Sequence, residues 1–397
     1  MIKSGENKIS RRKNKMKMFL SFSLVVLTFL AIPAKSYAQG EAAVPFLLLA
    51  PDSRFSGIGE TGTGLADNSS AIFWNPAGIA FLTGTEVSIT HSNWLPQFNL
   101  DLFYDYISFR TYIEDISGSV TSSITYMNFG EFIRTGENDP TPLGTFSAFD
   151  AALTLGYATK LGTDWGVGMN FRIIHSQLST QPTGEEEGSG VATSVSFDLA
   201  AMWRPERLDL FGWVTENRFS IGANLSNLGP KITYIDQAQS DPIPTNFRLG
   251  MSFHLFKDEF NSLMFNLDFS KLLVSRDTTG QSSEFYESVV TSWGDDGINN
   301  ELRDIVTSMG MEYWYGTPGD FLFALRAGYF YEDPSYGNRQ FLTFGAGLRY
   351  DIYGFDFSYI SSIAENHPLD ETLRFTIVIG WGAVEQERGF PRGPQGI

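Results

Sequence analysis

The sequence predicts an all-β fold: a transmembrane antiparallel β-barrel of about fourteen strands with an N-terminal plug, or hatch, in its lumen. Three observations predict it. The chain opens with an export leader, its later segments alternate apolar and polar residues with period two, and their connections are long at one end and short at the other.

The leader comes first. Lys3, Lys8, Arg11, Arg12, Lys13, Lys15 and Lys17 form a basic region, and an apolar run extends from Met18 to Pro33. Ser36-Tyr37-Ala38 then supplies the small–x–small pattern that a signal peptidase cuts, so residues 1–38 read as a signal peptide. The apolar run is short for a spanning helix of roughly 20 residues. The leader holds eight Lys or Arg and one Glu, so its removal takes the formal charge from −17 to about −24. Such an acidic chain offers no basic face to a nucleic acid, and none is expected as a partner. With no cysteine, neither disulfides nor thiolate chemistry are available.

Residues 39–85 do not alternate. Gly57, Gly59, Gly62, Gly64 and Ala66 precede Trp74-Asn75-Pro76-Ala77-Gly78, which reads as turns and short helices filling a lumen. Asn75 before a proline favours extended backbone, and its side chain can cap the short helix that follows.

The strands follow, over 86–381. Phe247, Leu249, Met251, Phe253 and Leu255 interleave with Arg248, Gly250, Ser252 and His254. Trp165 to Ile173, Phe219 to Leu225 and Leu373 to Trp381 repeat the pattern. Side chains on a strand alternate faces, so each segment has one apolar face. Fourteen segments fall near 86–95, 99–109, 118–128, 148–160, 165–175, 192–203, 217–227, 245–256, 263–273, 305–315, 321–331, 341–350, 354–362 and 372–381. Each has about the length a tilted strand needs to cross a bilayer. A β-sandwich or propeller would alternate too, but its strands would not be so long or so regularly up and down.

The connections sort into two sets. Those at 129–147, 176–191, 228–244, 274–304, 332–340 and 363–371 are mostly long and polar; those at 161–164, 257–262, 316–320 and 351–353 are tight. Outer-membrane barrels place long loops outside the cell and tight turns in the periplasm. Trp165, Trp203, Tyr157, Tyr315 and Trp381 then fall at the periplasmic rim, as an aromatic girdle should. Arg172, Arg218, Arg248, Arg326, Arg349, Arg374, Asp150, Asp198, Asp268 and Asp356 face the lumen, and 382–397 forms a Gly- and Pro-rich periplasmic tail.

No catalytic, cofactor or metal site emerges. His91, His175, His254 and His367 lack metal-ligand spacing, and Ser252 and Ser358 lack a G-x-S-x-G context. Glu185-Glu186-Glu187 and the group Asp295, Asp296, Asn299 and Asn300 read as solvated loop rather than a calcium site, lacking EF-hand spacing.

Trp74-Asn75-Pro76-Ala77-Gly78-Ile79-Ala80 resembles the hatch signature of the FadL-like outer-membrane proteins, fourteen-stranded barrels with an N-terminal plug. Four further segments add specificity: Val44 to Leu48 with Pro51-Asp52-Ser53-Arg54; Asn227 to Ile232; Pro244 to Gly250; and His367 to Phe375. Together they are similar to the PorV/PorQ family within that superfamily. The resemblance implies a non-enzymatic shuttle of the type IX secretion system, held in the lipid bilayer. It implies that cargo is taken by its C-terminal β-domain from the outer-membrane translocon and passed to an attachment complex with the sortase-like protease PorU. The other function class is a FadL-like channel for hydrophobic small molecules. The charged lumen suits a plugged scaffold better than an apolar conduit. On the first reading the outer loops hold the site, with Pro230, Lys231, Ile232, Tyr234, Phe285, Tyr286 and Trp293 as candidate cargo-binding residues. These apolar side chains could instead pack together and close the barrel mouth.

Overall fold

The computed structural model describes residues 42–382, apart from 99, 136–140, 180–188, 211–212, 237–238, 277–280, 296, 318–320 and 365–366. The expected leader, the tail beyond Gly382 and the run Glu185–Glu187 lie outside the described residues.

Fourteen antiparallel strands close into one barrel. They are β1 (Thr85–Asn93), β2 (Phe103–Ile113), β3 (Gly118–Thr135), β4 (Pro142–Leu161), β5 (Trp165–Gln177), β6 (Val191–Trp203), β9 (Phe219–Leu228), β10 (Asn246–Lys257), β11 (Asn261–Leu272), β12 (Val306–Tyr315), β13 (Leu322–Tyr331), β14 (Gln340–Tyr350), β15 (Tyr353–Ser362) and β16 (Leu373–Trp381). Each pairs with its neighbours in order, and β1 closes the ring on β16 from Thr85↔Trp381 to Ser92↔Arg374. The connection between β6 and β9 holds a separate hairpin, β7 (Arg207–Leu210) with β8 (Trp213–Glu216). The stretch expected as the loop 129–147 is largely strand, because β3 and β4 stay paired well past their other neighbours.

The alternation places the faces as expected. Ile89, Ile107, Leu153, Met169, Leu249, Leu325 and Phe344 point outward and are exposed, whereas Thr90, Ser108, Thr154, Asn170, Ser252, Arg326 and Thr343 point inward and are buried. An exposed apolar belt with a polar interior inverts the arrangement of a water-soluble fold and fits a lipid surround. Trp165, Tyr315 and Trp381 are exposed at the tight-turn end, and Trp165 lies 6.3 Å from Trp203. Phe321, Tyr350 and Tyr353 extend the same rim, with Phe321 stacked 4.4 Å from Tyr350.

The chain before β1 lies inside this ring, touching strands on all sides. Asp52 caps the turn Ser53–Ser56, accepting from the Phe55 N–H at 2.8 Å, while the Ser53 N–H donates to Thr376 Oγ1 of β16 at 3.0 Å. Asn75 is extended (φ −161°) and caps Pro76–Phe81 by accepting from the Ala77 N–H. Its amide also donates to Thr63 O and to Ala201 O of β6. At Gly168 of β5 a Cβ would sit 2.6 Å from the Ala77 nitrogen, so the wall must be glycine there for Pro76-Ala77 to approach. Phe55, Ile58, Ile72 and Ile79 are fully enclosed.

Charged pairs fasten this segment to the wall. Arg54 donates to Asp67 at 2.6 Å and to Glu312 of β12 at 2.8 Å. Glu312 also accepts from Arg326, which pairs with Asp356, which in turn accepts from Arg349. Buried charges are tolerable only when paired and hydrogen-bonded in this way. On the other side Arg172 holds Asp198 at 2.8 Å and also donates to Asn227.

Candidate functional site

The long-loop end carries the candidate residues, and the structure divides them into two groups. Ile232 is 1% exposed. It bridges to Asp241 across the β9–β10 loop and packs with Val44, Phe46 and Ile243 over the luminal segment. Tyr234 packs against the same cluster and donates its hydroxyl to Ser176 at 2.8 Å; burial raises its phenol pKa above the usual value. The Ala43 N–H donates to Pro242 O at 2.9 Å, fixing that loop to the luminal chain. Ile232 and Tyr234 therefore pack toward the luminal segment. Pro230 remains exposed, its carbonyl accepting from Ser194.

The second group sits on the β11–β12 loop, which carries two short helices, Phe285–Thr291 and Ile298–Arg303. Tyr286 is 62% exposed and Trp293 48%, whereas Phe285 is half-buried and packs edge-on to Tyr286 at 5.5 Å. Trp293 also meets the Phe247 ring at 5.8 Å. Val290 and Leu302, which sequence reasoning missed, are exposed at 73% and 65%. Their signal is the 3.6-residue period of a helix, short enough here to be hidden in a loop.

Ion pairs hold the loops to one another. Lys231 donates to Ser282 O and lies 3.3 Å from Glu284, joining the β9–β10 loop to the β11–β12 loop. Lys271 pairs with Glu301 at 3.0 Å and with Asp304. Arg303 reaches Asp333 of the next loop at 3.0 Å and holds its carboxyl below the usual range. Burial and the neighbouring Glu301 push the Asp295 carboxyl up to about 6. Among the described residues no group of acidic and histidine side chains has a metal-binding arrangement.

Beneath the loops lies a cavity of about 440 Å³ between the luminal segment and β10–β13. Arg248, Asp268, Glu60, Glu332 and Arg339 line it together with Phe330 and Leu48. Arg248 stacks over Phe73 at 4.7 Å and Trp74 at 5.3 Å. The walls are thus charged as well as apolar.

The family model described as type IX secretion system protein PorV matches residues 35–279. No curated protein matches the chain. Among solved structures, the Ralstonia pickettii toluene transporter TbuX is similar at 12% identity, with a TM-score of 0.45 over 84% of this chain and 99% of that one. The Pseudomonas putida toluene transporter TodX is similar at 10% identity and 0.45, over 88% of this chain and 99% of that one.

Proposed function

The chain belongs to the family of the type IX secretion system protein PorV, and from that premise we propose that it is the outer-membrane shuttle of that system. On this reading its loop-end surface receives the C-terminal β-domain of secreted cargo as the cargo leaves the translocon. The shuttle then delivers it to the attachment complex that contains the sortase-like PorU. The loop end faces the cell exterior and both termini face the periplasm.

One observation carries the docking part. Ile232 and Ile243 are buried in the cluster over the luminal segment, whereas Tyr286, Val290, Trp293 and Leu302 are exposed on the β11–β12 loop. Apolar groups that neither close the core nor face lipid are what an interface core requires. The test is removal of 278–298 from the β11–β12 loop. The barrel should still fold and co-purification with cargo bearing its C-terminal domain should be lost. Undiminished cargo binding would sink the assignment of the site to this loop.

The second reading, a conduit for hydrophobic small molecules, rests on the cavity of about 440 Å³. Arg248, Asp268 and Glu60 in its lining favour water over an apolar solute. Loss of uptake of a hydrophobic compound in an Arg248→Ala variant, with cargo binding intact, would favour the conduit instead.

A further inference from the structure

Beyond the barrel rim β3 and β4 continue as a free two-stranded ribbon. Pairing of β3 with β2 ends at Phe103↔Asn128, and pairing of β4 with β5 ends at Phe149↔Gln177. β3 and β4 stay paired from Glu131↔Ser147 to Thr135↔Pro142, with Phe132 and Phe146 stacked at 5.7 Å. Each strand of the ribbon therefore has an edge that no barrel strand covers.

The two edges differ. That of β4 is blunted: Pro142 has no N–H, Gly144 has a positive φ of 151°, and the Gln177 side chain donates to Ser147 O at 3.0 Å. Proline, kinks and side-chain cover are how natural sheets protect an edge. The β3 edge is kinked at Gly130 (φ 84°) but has neither proline nor side-chain cover at Glu131 and Ile133. In an antiparallel strand the N–H and C=O of one residue point the same way, and successive residues alternate. Because the Ser147 carbonyl points away from β3, its partner Glu131 must point its own backbone groups away from β4. Ile133, paired with Thr145, does the same. This edge thus presents two consecutive sets of outward N–H and C=O groups. Ile133 is 65% exposed, and at the foot of the edge the exposed Phe98 and Leu100 precede Asp101, whose carbonyl accepts from Asn128 at 2.9 Å.

We propose that the outer edge of β3 at Glu131–Ile133 accepts an extended strand of the partner domain, which continues the line β2 leaves at Phe103. The occupant rests on the cargo reading above: a β-domain has edge strands, and only an extended chain satisfies alternating backbone groups of this kind. Main-chain bonds would supply affinity, and Ile133, Phe98 and Leu100 an apolar rim for the incoming side chains.

The test uses the full-length protein in detergent with a purified cargo C-terminal β-domain. The chain has no cysteine, so Ile133→Cys is a single reporter. Cysteines stepped along an edge strand of the β-domain should cross-link to it at alternate positions. Ile133→Pro, which deletes one outward N–H, should weaken binding about tenfold or more. Ile133→Ala, which keeps that N–H, should weaken it less, and Thr145→Pro on the blunted edge should leave it unchanged. Full binding by Ile133→Pro, or cross-links with no alternation, would overturn the strand-addition inference while leaving cargo docking intact. Failure of the unsubstituted protein to bind the β-domain would overturn the docking reading itself.

Discussion

Arg54 is the residue on which the luminal segment turns. Its guanidinium bonds Asp67 within the segment and Glu312 on the wall, and Glu312 continues to Arg326, Asp356 and Arg349. Removing one member strands a buried charge, so Arg54→Ala should destabilise the protein by about 3–5 kcal/mol. Arg54→Met paired with Glu312→Gln should recover part of that loss, and urea titration of the protein in detergent micelles reads both. Asn75 was legible beforehand: its extended backbone and its cap on Pro76–Phe81 follow from an Asn-Pro step alone. Glu312 was not. It lies among Met309, Met311, Tyr313 and Trp314, and only the ring places it opposite Arg54 and Arg326. Ile232 and Tyr234 were legible as apolar loop residues. That they turn inward depends on Val44 and Phe46, which reach them from almost two hundred residues away in sequence.

At the scale of elements, period-two patterning located all fourteen barrel strands because a bilayer enforces it: an outward polar side chain is penalised along every strand. Leu249→Arg should therefore cost about 2–4 kcal/mol at the bilayer midplane. Ser252→Arg, the tempting control on the other face, would force a large side chain into the barrel interior, where Ser252 is buried. Ser252→Ala is the usable control and should cost no more than about 1 kcal/mol. Equal costs for Leu249→Arg and Ser252→Ala would refute the register. The ends of β3 and β4 were illegible, since outside the lipid nothing enforces alternation, and Gly130 with a φ of 84° interrupts it. The β11–β12 loop should respond to pH through Asp295, whose carboxyl is raised to about 6 by burial and by Glu301. A raised acid is disfavoured when ionised, so the loop is strained at neutral pH and gains stability as pH falls through 6. Hydrogen exchange of 285–303 should slow between pH 7.5 and 5.5, and Asp295→Asn should flatten that dependence. Faster exchange at the lower pH would contradict it.

For the molecule as a whole, the luminal segment bonds to strands around the ring, and this predicts a silent pore. The intact protein should give no large steady conductance in planar bilayers, and a variant lacking 42–82 should conduct or fail to assemble. A large stable current through the intact protein would remove the idea of a plug. The composition signalled this architecture early: the glycine-rich stretch before the first strand has no alternation of its own and so no place in the wall. Its individual contacts could not be read, because they join residues hundreds of positions apart in sequence. Ser53 meets Thr376, and Arg54 meets Glu312. That span has a kinetic side. β1 follows the luminal segment directly, and β1 must pair with β16 to complete the circle. Ring closure therefore joins the first strand to the last, and the segment that precedes β1 meets β16 at the same seam. Such long sequence separations slow folding. They also leave the apolar side chains of the luminal segment without their native partners until the last strand has been made.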